Sequence, residues 1–140
     1  MASTYTKLMY HIVFSTKDRH PLIDAATGHA LHAYMGGIIK NIDGCPLMIG
    51  GVGDHVHLLA TIPARMSLAD TVRTIKANSS KWLHDERNIP RFQWQSGYAA
   101  FTVSEAVRPA VTHYIQKQEE HHCQHDFRAE LITLLQRHRV

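Results

Sequence analysis

Residues 46–62 read PLMIGGVGDHVHLLATI, and this stretch decides the fold class. It contains two short apolar runs, 46–52 and 55–62, which have the length and composition of β-strands. The runs are separated by Gly53-Asp54, two residue types that are common in tight turns. The pattern therefore predicts a β-hairpin near the middle of the chain.

Outside the hairpin, apolar periodicity predicts further elements on both sides. In chain order they are a strand over 8–15, a helix over 23–39, a helix over 68–87 capped by Ser67, a strand over 97–104, a helix after Ser104 that carries Tyr114, and a last helix over 127–136. Pro109 predicts that the tyrosine helix is kinked or begins later. The order β-α-β-β-α-β predicts an α+β, ferredoxin-like (RRM-like) antiparallel sheet with helices on one face, plus a C-terminal helix carrying the tyrosine.

The composition is that of a globular chain, and we expect residues 1–140 to form one domain. Hydrophobic residues make up 44% of the chain, which is enough for a core. No apolar run approaches the ~18 residues of a membrane span, and the chain start lacks a signal-peptide pattern. Cys45 and Cys123 form neither a disulfide framework nor a Cys-x-x-Cys pair. We therefore expect a cytoplasmic protein without a membrane partner.

His55 and His57, two of the twelve histidines, fall on the second strand of the predicted hairpin. Side chains alternate along a strand, so both imidazoles project to one face of the sheet while Val56 projects to the other. Two neighbouring imidazoles form half of a metal site. The alternative is a polar, solvated sheet face without a metal.

Tyr114 and Gln118 are four residues apart, so on a helix they project from one face. A tyrosine hydroxyl is a poor nucleophile at neutral pH and needs a metal or a base nearby. The amide oxygen of Gln118 is a suitable ligand for a hard cation such as Mg²⁺ or Mn²⁺. The alternative is that Tyr114 is a tyrosine at the edge of the core and Gln118 its surface neighbour.

The run Glu119–His125, EEHHCQH, contains residue types that bind zinc. Adjacent ligands on a helix diverge, however, and Cys123 has no thiolate partner at zinc-finger spacing. We therefore interpret this run as a solvated helix end followed by a loop.

Basic and polar side chains form a stripe on the second predicted helix. Together with two basic residues of the first loop, they offer donors to DNA phosphates and predict a nucleic-acid-binding surface. The alternative is an ordinary amphipathic helix with a charged outer face. The candidate DNA-binding residues are Lys17, Arg19, Arg73, Lys76, Ser80 and Lys81.

Several segments together resemble the single-tyrosine HUH transposases of the insertion-sequence 200/605 type (IS200-like transposases). The resemblance rests on a His-hydrophobe-His strand, a Trp-Gln-Ser-Gly-Tyr segment and a Tyr-x-x-x-Gln helix, in this order along the chain. The matching residues include Tyr10–Arg19, Asp54–Leu59, Ile75–Leu83, Phe92–Tyr98, Ala100–Ser104, Tyr114–Gln118 and Glu120–His122.

The resemblance implies a DNA transposase that cleaves and transfers single-stranded DNA. His55, His57 and Gln118 would bind a divalent metal, Mg²⁺ or Mn²⁺. Tyr114 would attack the DNA phosphate and form a 5′-phosphotyrosine intermediate. Family members also form homodimers with shared active sites and recognise DNA hairpins at the element ends, and the resemblance places the protein in a bacterial or archaeal cytoplasm, associated with the nucleoid.

Three alternatives remain open at this point. A domesticated relative would process repeated genomic hairpins with the same catalytic residues. A non-catalytic nucleic-acid-binding module can use the same fold. A metal-dependent hydrolase would use His55 and His57 to activate water and would form no covalent adduct.

Overall fold

The computed structural model describes residues 3–122 and 126–140. Its strands are β1 (Met9–Ser15), β2 (Cys45–Val52), β3 (His55–Thr61) and β4 (Ala99–Thr102). Its α-helices are α1 (Ala25–Asn41), α2 (Leu68–Glu86), α3 (Arg108–Gln116), α4 (Gln118–His122) and α5 (Phe127–Arg137). Strand order in the sheet is β2-β3-β1-β4, and all three pairs are antiparallel.

The hairpin of β2 and β3 forms where the sequence predicts it, with Val52 opposite His55 across the turn. Because β1 pairs with β3 in a register that places Ser15 opposite His55, the His-x-His strand lies inside the sheet between two neighbours. This architecture confirms the α+β, ferredoxin-like prediction.

Two faces of the sheet carry different helices. One face packs against α1 and α2 in the main core, where Phe14, Val56 and Leu58 of the strands meet Leu31 and Ile75 of the helices. The other face, to which odd-numbered residues of β1 and β3 project, is covered by the C-terminal helices. Its apolar contacts join Val13 and Phe101 to Phe127 and Leu134, and Met9 and Leu59 to Ile115.

The helix ends have local causes. The Ser67 side chain accepts a hydrogen bond from the Asp70 backbone N–H, as the predicted cap requires. A 3₁₀ turn over Glu105–Val107 precedes α3, so the tyrosine helix begins later than Ser104 and places Pro109 in its first turn, where a missing N–H costs little.

Gln118 does not continue the tyrosine helix, which corrects the sequence prediction. The α3 helix ends at Gln116, and Lys117 caps it before the short α4 begins at Gln118.

Among the described residues, none of the helices combines the length and the apolar character that a membrane span requires.

Candidate active site

The two strand histidines are fully buried, so the alternative of a solvated sheet face is wrong. The Nδ1 atom of each imidazole lies within hydrogen-bonding distance of a neighbouring side chain. Nδ1 of His55 lies 2.7 Å from Oδ1 of Asp54, and Nδ1 of His57 lies 2.8 Å from Nε2 of His11. Both Nε2 atoms face Oε1 of Glu130 in α5, at 3.3 Å from His55 and 3.0 Å from His57.

Tyr114 and Gln118 reach that point from the C-terminal side. Oε1 of Gln118 lies 3.2 Å from Nε2 of His55. The ring of Tyr114 lies edge-on to His57, with 5.6 Å between the ring centroids. The structure thus brings Tyr114, His55, His57 and Gln118 together, although the interruption at Lys117 separates Tyr114 and Gln118 into two helices.

Glu130 of α5 lies at the centre of this cluster, and its side chain is 1% exposed. Its Oε1 atom lies 3.0 Å from Nε2 of His57 and 2.9 Å from Nε2 of His122. Its Oε2 atom accepts hydrogen bonds from the Tyr114 hydroxyl and from Nε2 of Gln118. One carboxylate therefore contacts the tyrosine, the glutamine and the imidazoles.

Burial and contacts within the cluster strongly shift the pKa values of His55, Glu130 and His11. Burial alone would lower the pKa of His55, but hydrogen bonds to Asp54 and Glu130 and the Glu130 charge raise this pKa to about 9. Burial likewise acts to raise the pKa of Glu130, yet the hydrogen bonds from His55 and His57 hold it well below its usual range. Burial, with the neighbouring His57, lowers the pKa of His11 to about 3.

Tyr114 is held as a neutral phenol in this arrangement. Burial and the hydrogen bond and charge of Glu130 raise the pKa of Tyr114 above its usual value. A phenol in this state hydrogen-bonds well but attacks poorly, so chemistry at Tyr114 requires a metal or a base close to the hydroxyl.

The donor set fits a divalent cation. One ligand atom each from His55, His57, His122 and Glu130 lies within 4.8 Å of the others, and Oε1 of Gln118 faces the same space. Imidazole nitrogens combined with carboxylate and amide oxygens suit Mn²⁺ and, through the oxygens, Mg²⁺.

Comparison with known proteins identifies the family. The family model "Transposase IS200 like" matches residues 4–118. The chain belongs to the IS200-like transposase family. It is accordingly a DNA transposase, as the sequence motifs predict.

The IS200-like relatives are similar over most of their length. The ISDra2 transposase TnpA of Deinococcus radiodurans is 24% identical over 120 residues, which cover 81% of this chain and 86% of that protein. The transposase for insertion sequence element IS200 of Salmonella typhimurium is 26% identical over 126 residues, covering 86% of this chain and 82% of that protein.

Solved structures show the same fold. A putative transposase from Deinococcus radiodurans matches with a TM-score of 0.66 and 24% identity, over 84% of this chain and 95% of that chain. A REP-associated tyrosine transposase bound to a REP hairpin matches with a TM-score of 0.64 and 14% identity, over 87% of this chain and 73% of that chain.

The predicted DNA-binding residues of this IS200-like transposase lie apart from the tyrosine. Arg73, Lys76 and Ser80 line a cavity of about 520 Å³ beside α2, which packs on the opposite face of the sheet. Lys17 and Arg19 are exposed in the 3₁₀ turn after β1, and Lys81 of α2 is exposed but is not among the residues lining the cavity.

Two of these side chains already have protein partners. Nζ of Lys76 donates to the backbone carbonyl oxygens of Gln95, at 2.8 Å, and of Gly97. The guanidinium of Arg73 lies 2.7 Å from Oδ1 of Asp70 in an exposed ion pair. Lys76 therefore fixes the backbone that follows Trp94. The exposed ion pair of Arg73 is weak, so the Arg73 guanidinium can exchange Asp70 for another anion.

Sequence reasoning missed the site roles of four residues: His11, Asp54, His122 and Glu130. The interpretation of Glu119–His125 as a solvated helix end does not hold for His122, whose side chain is 9% exposed and contacts Glu130; Cys123, Gln124 and His125 lie outside the described residues. Glu130 did leave a signal, because it sits between Phe127 and Leu134 on the apolar stripe of α5, where a carboxylate is unusual.

Proposed function

We propose that this transposase cleaves and rejoins single-stranded DNA with Tyr114 as the nucleophile, through a 5′-phosphotyrosine intermediate. The observation that carries the proposal is the convergence of the Tyr114 hydroxyl with His55, His57 and Gln118 in one buried cluster. A hydrolase that activates water would leave no covalent adduct on this hydroxyl, so adduct formation separates the two functions.

The proposed cleavage is a transesterification. Oη of Tyr114 forms a bond to phosphorus while the bond from phosphorus to the 3′-oxygen breaks. The phenol gives up its proton and the departing 3′-oxygen gains one. Because one phosphoester bond forms as another breaks, the number of phosphodiester bonds is unchanged. The 3′-hydroxyl of another strand reverses the step, and rejoining needs no nucleotide cofactor.

Each residue of the cluster has a role in this scheme. His55, His57 and Gln118 would hold a divalent cation, Mg²⁺ or Mn²⁺, which supplies positive charge for the phosphate oxygens. Asp54 and His11 orient the two imidazoles through their Nδ1 atoms. The hydrogen bond to Glu130 keeps the Tyr114 hydroxyl beside the imidazoles.

The proposed substrate is single-stranded DNA with hairpin ends. A similar fold in another protein is bound to a REP hairpin. Contacts from the surface residues named above would position the backbone and would weaken with salt. The proposed DNA-binding residues remain Lys17, Arg19, Arg73, Lys76, Ser80 and Lys81.

We also propose that residues 1–140 act as one catalytic domain in the cytoplasm. The apolar contacts of Phe127 and Leu134 with the sheet support this, because they attach the last helix to the site. The family resemblance adds a homodimer with shared active sites. Mixing the Tyr114→Phe and His57→Ala variants tests sharing: adduct formation is restored if one protomer's tyrosine serves the other's histidines, and stays absent if each chain uses its own.

A covalent-adduct assay tests the central proposal. Full-length protein is incubated with labelled single-stranded DNA from both flanks of its own gene and Mn²⁺, then run on a denaturing gel. We expect a protein–DNA adduct that chelator and Tyr114→Phe both abolish, while Tyr34→Phe, at a 38% exposed tyrosine of α1, forms it normally. An adduct with Tyr114→Phe contradicts the nucleophile. Cleavage without adduct favours a hydrolase, and tight binding without cleavage favours a binding module.

A further inference from the structure

Glu130 shares its oxygen with three imidazoles. Oε1 lies 3.0 Å from Nε2 of His57, 3.3 Å from Nε2 of His55 and 2.9 Å from Nε2 of His122. A buried carboxylate on an apolar helix stripe costs several kcal/mol unless it meets compensating charge. The positive charge that Glu130 needs must therefore lie among these nitrogens.

The hydrogen-bond inventory at His55 indicates what can lie there. Oδ1 of Asp54 only accepts, so Nδ1 of His55 carries a proton. Nε2 of His55 then faces two further acceptors, Oε1 of Gln118 and Oε1 of Glu130. A nitrogen and two oxygens that converge in this way are satisfied by a proton on the nitrogen or by a cation between all three.

A cation satisfies more of the cluster than a proton does. A proton on Nε2 of His55 serves one nitrogen and at most two oxygens, whereas a dication accepts lone pairs from His55, His57 and Glu130 together. Two histidines and one carboxylate are a recurrent protein site for divalent metals with open positions. The open positions are what a DNA phosphate requires.

We propose that Glu130 is a direct ligand of the catalytic metal, so that α5 completes a site of His55, His57 and Glu130 in addition to Gln118. This inference rests on the proposed function. The carboxylate would cancel one of the two charges of the ion. Its other oxygen accepts a hydrogen bond from the Tyr114 hydroxyl, so the same side chain would contact the metal and the proposed nucleophile. The C-terminal helix is thereby part of the metal centre.

Metal binding tests this inference without any DNA. Full-length variants are titrated with Mn²⁺, and free Mn²⁺ is followed by its electron paramagnetic resonance signal. We expect Glu130→Gln to weaken Mn²⁺ binding by more than about 100-fold, since losing a residue that only orients a ligand costs about 10- to 100-fold. Glu86→Gln, at an exposed glutamate of α2, is the matched control and binds like the wild type.

Two further variants keep the result interpretable. Glu130→Asp retains the charge but withdraws the carboxylate, and we expect it also to weaken Mn²⁺ binding; it decides the question if Glu130→Gln does not fold by circular dichroism. A loss of less than about 100-fold in folded Glu130→Gln overturns the inference, because a residue that only orients a ligand gives a loss of that size. If Glu130→Gln does not fold, wild-type affinity in folded Glu130→Asp overturns it. If His57→Ala loses Mn²⁺ while Glu130→Gln retains it, only the role of Glu130 fails. If the wild type binds no Mn²⁺, the proposed metal chemistry fails with it.

Discussion

Nε2 of His11 lies 2.8 Å from Nδ1 of His57, across the pairing of β1 with β3. One of the two nitrogens carries the shared proton. When it sits on Nδ1 of His57, the Nε2 lone pair of His57 is directed into the cluster formed with Glu130 and His55. We therefore expect His11 to act as a positioning residue that favours the tautomer of His57 able to bind a metal.

Replacing His11 should weaken metal binding without removing a ligand. We expect His11→Phe to reduce Mn²⁺ affinity by about 10- to 100-fold, because the acceptor that orients His57 is lost. His11→Gln keeps an acceptor and should lose less. Mn²⁺ titration of folded protein measures both, and equal affinity of His11→Phe and wild type contradicts the role of His11.

Gly50 of β2 lacks a side chain, and this allows α3, the helix of Tyr114, to pack close against the sheet. A Cβ atom at Gly50 would lie 2.6 Å from the carbonyl oxygen of Ile115, the residue after Tyr114. We expect Gly50→Val to displace α3 and to slow adduct formation by about 100-fold, since a shift of about 1 Å in a reacting group costs that much.

The control for this prediction is Gly37→Ala in α1, where an added Cβ meets nothing within 4 Å. We expect Gly37→Ala to keep full activity and to raise the free energy of unfolding by up to about 1 kcal/mol, because alanine is the better helix former. Wild-type adduct formation by Gly50→Val would show that α3 tolerates displacement.

Lys76 should contribute to stability through its two backbone acceptors. We expect Lys76→Met to lower the free energy of unfolding by about 1–3 kcal/mol, because it removes charged hydrogen bonds to the carbonyls of Gln95 and Gly97. Urea denaturation measures the change. Lys81→Met, at an exposed position of the same helix, should stay within about 0.5 kcal/mol of the wild type. An unchanged free energy of unfolding for Lys76→Met would contradict the stabilising role of these two hydrogen bonds.

The raised pKa of His55 predicts a pH-dependent stability in the presence of chelator. The pKa is about 9 in the folded protein and about 6.5 in the unfolded chain, so between these values the folded state retains a proton that the unfolded state has lost. The contribution of His55 is complete below pH 6.5 and is lost as pH rises through about 9.

Urea denaturation at a series of pH values measures this effect. We expect the slope to reach at most about 1.4 kcal/mol per pH unit for one proton. Asp54→Asn removes the carboxylate that hydrogen-bonds Nδ1 of His55, and it should flatten the dependence. A wild-type stability that rises from pH 6.5 to 9 would contradict the charged state of His55.

Local sequence patterns determined several parts of this protein. The alternation along β3 placed His55 and His57 on one face, and the turn at Gly53-Asp54 produced the hairpin, because both features depend on residues within a few positions of one another. The Ser67 cap is equally local. The His-hydrophobe-His strand, together with the Trp-Gln-Ser-Gly-Tyr segment and the Tyr-x-x-x-Gln spacing further along the chain, was also sufficient to predict the family, which the match over residues 4–118 confirmed.

Tertiary structure alone decided the composition of the cluster. Glu130 is 73 residues from His57, and His11 is 46 residues from it. Contacts at such separations depend on the register of β1 with β3 and on the packing of α5 against the second sheet face, and no periodicity of short range contains that information. The break at Lys117 was not predicted from the local pattern either, yet Tyr114 and Gln118 both contact Glu130 across it. The charge on Glu130 is buried on an apolar stripe, and it is stabilised only because the fold surrounds it with imidazoles.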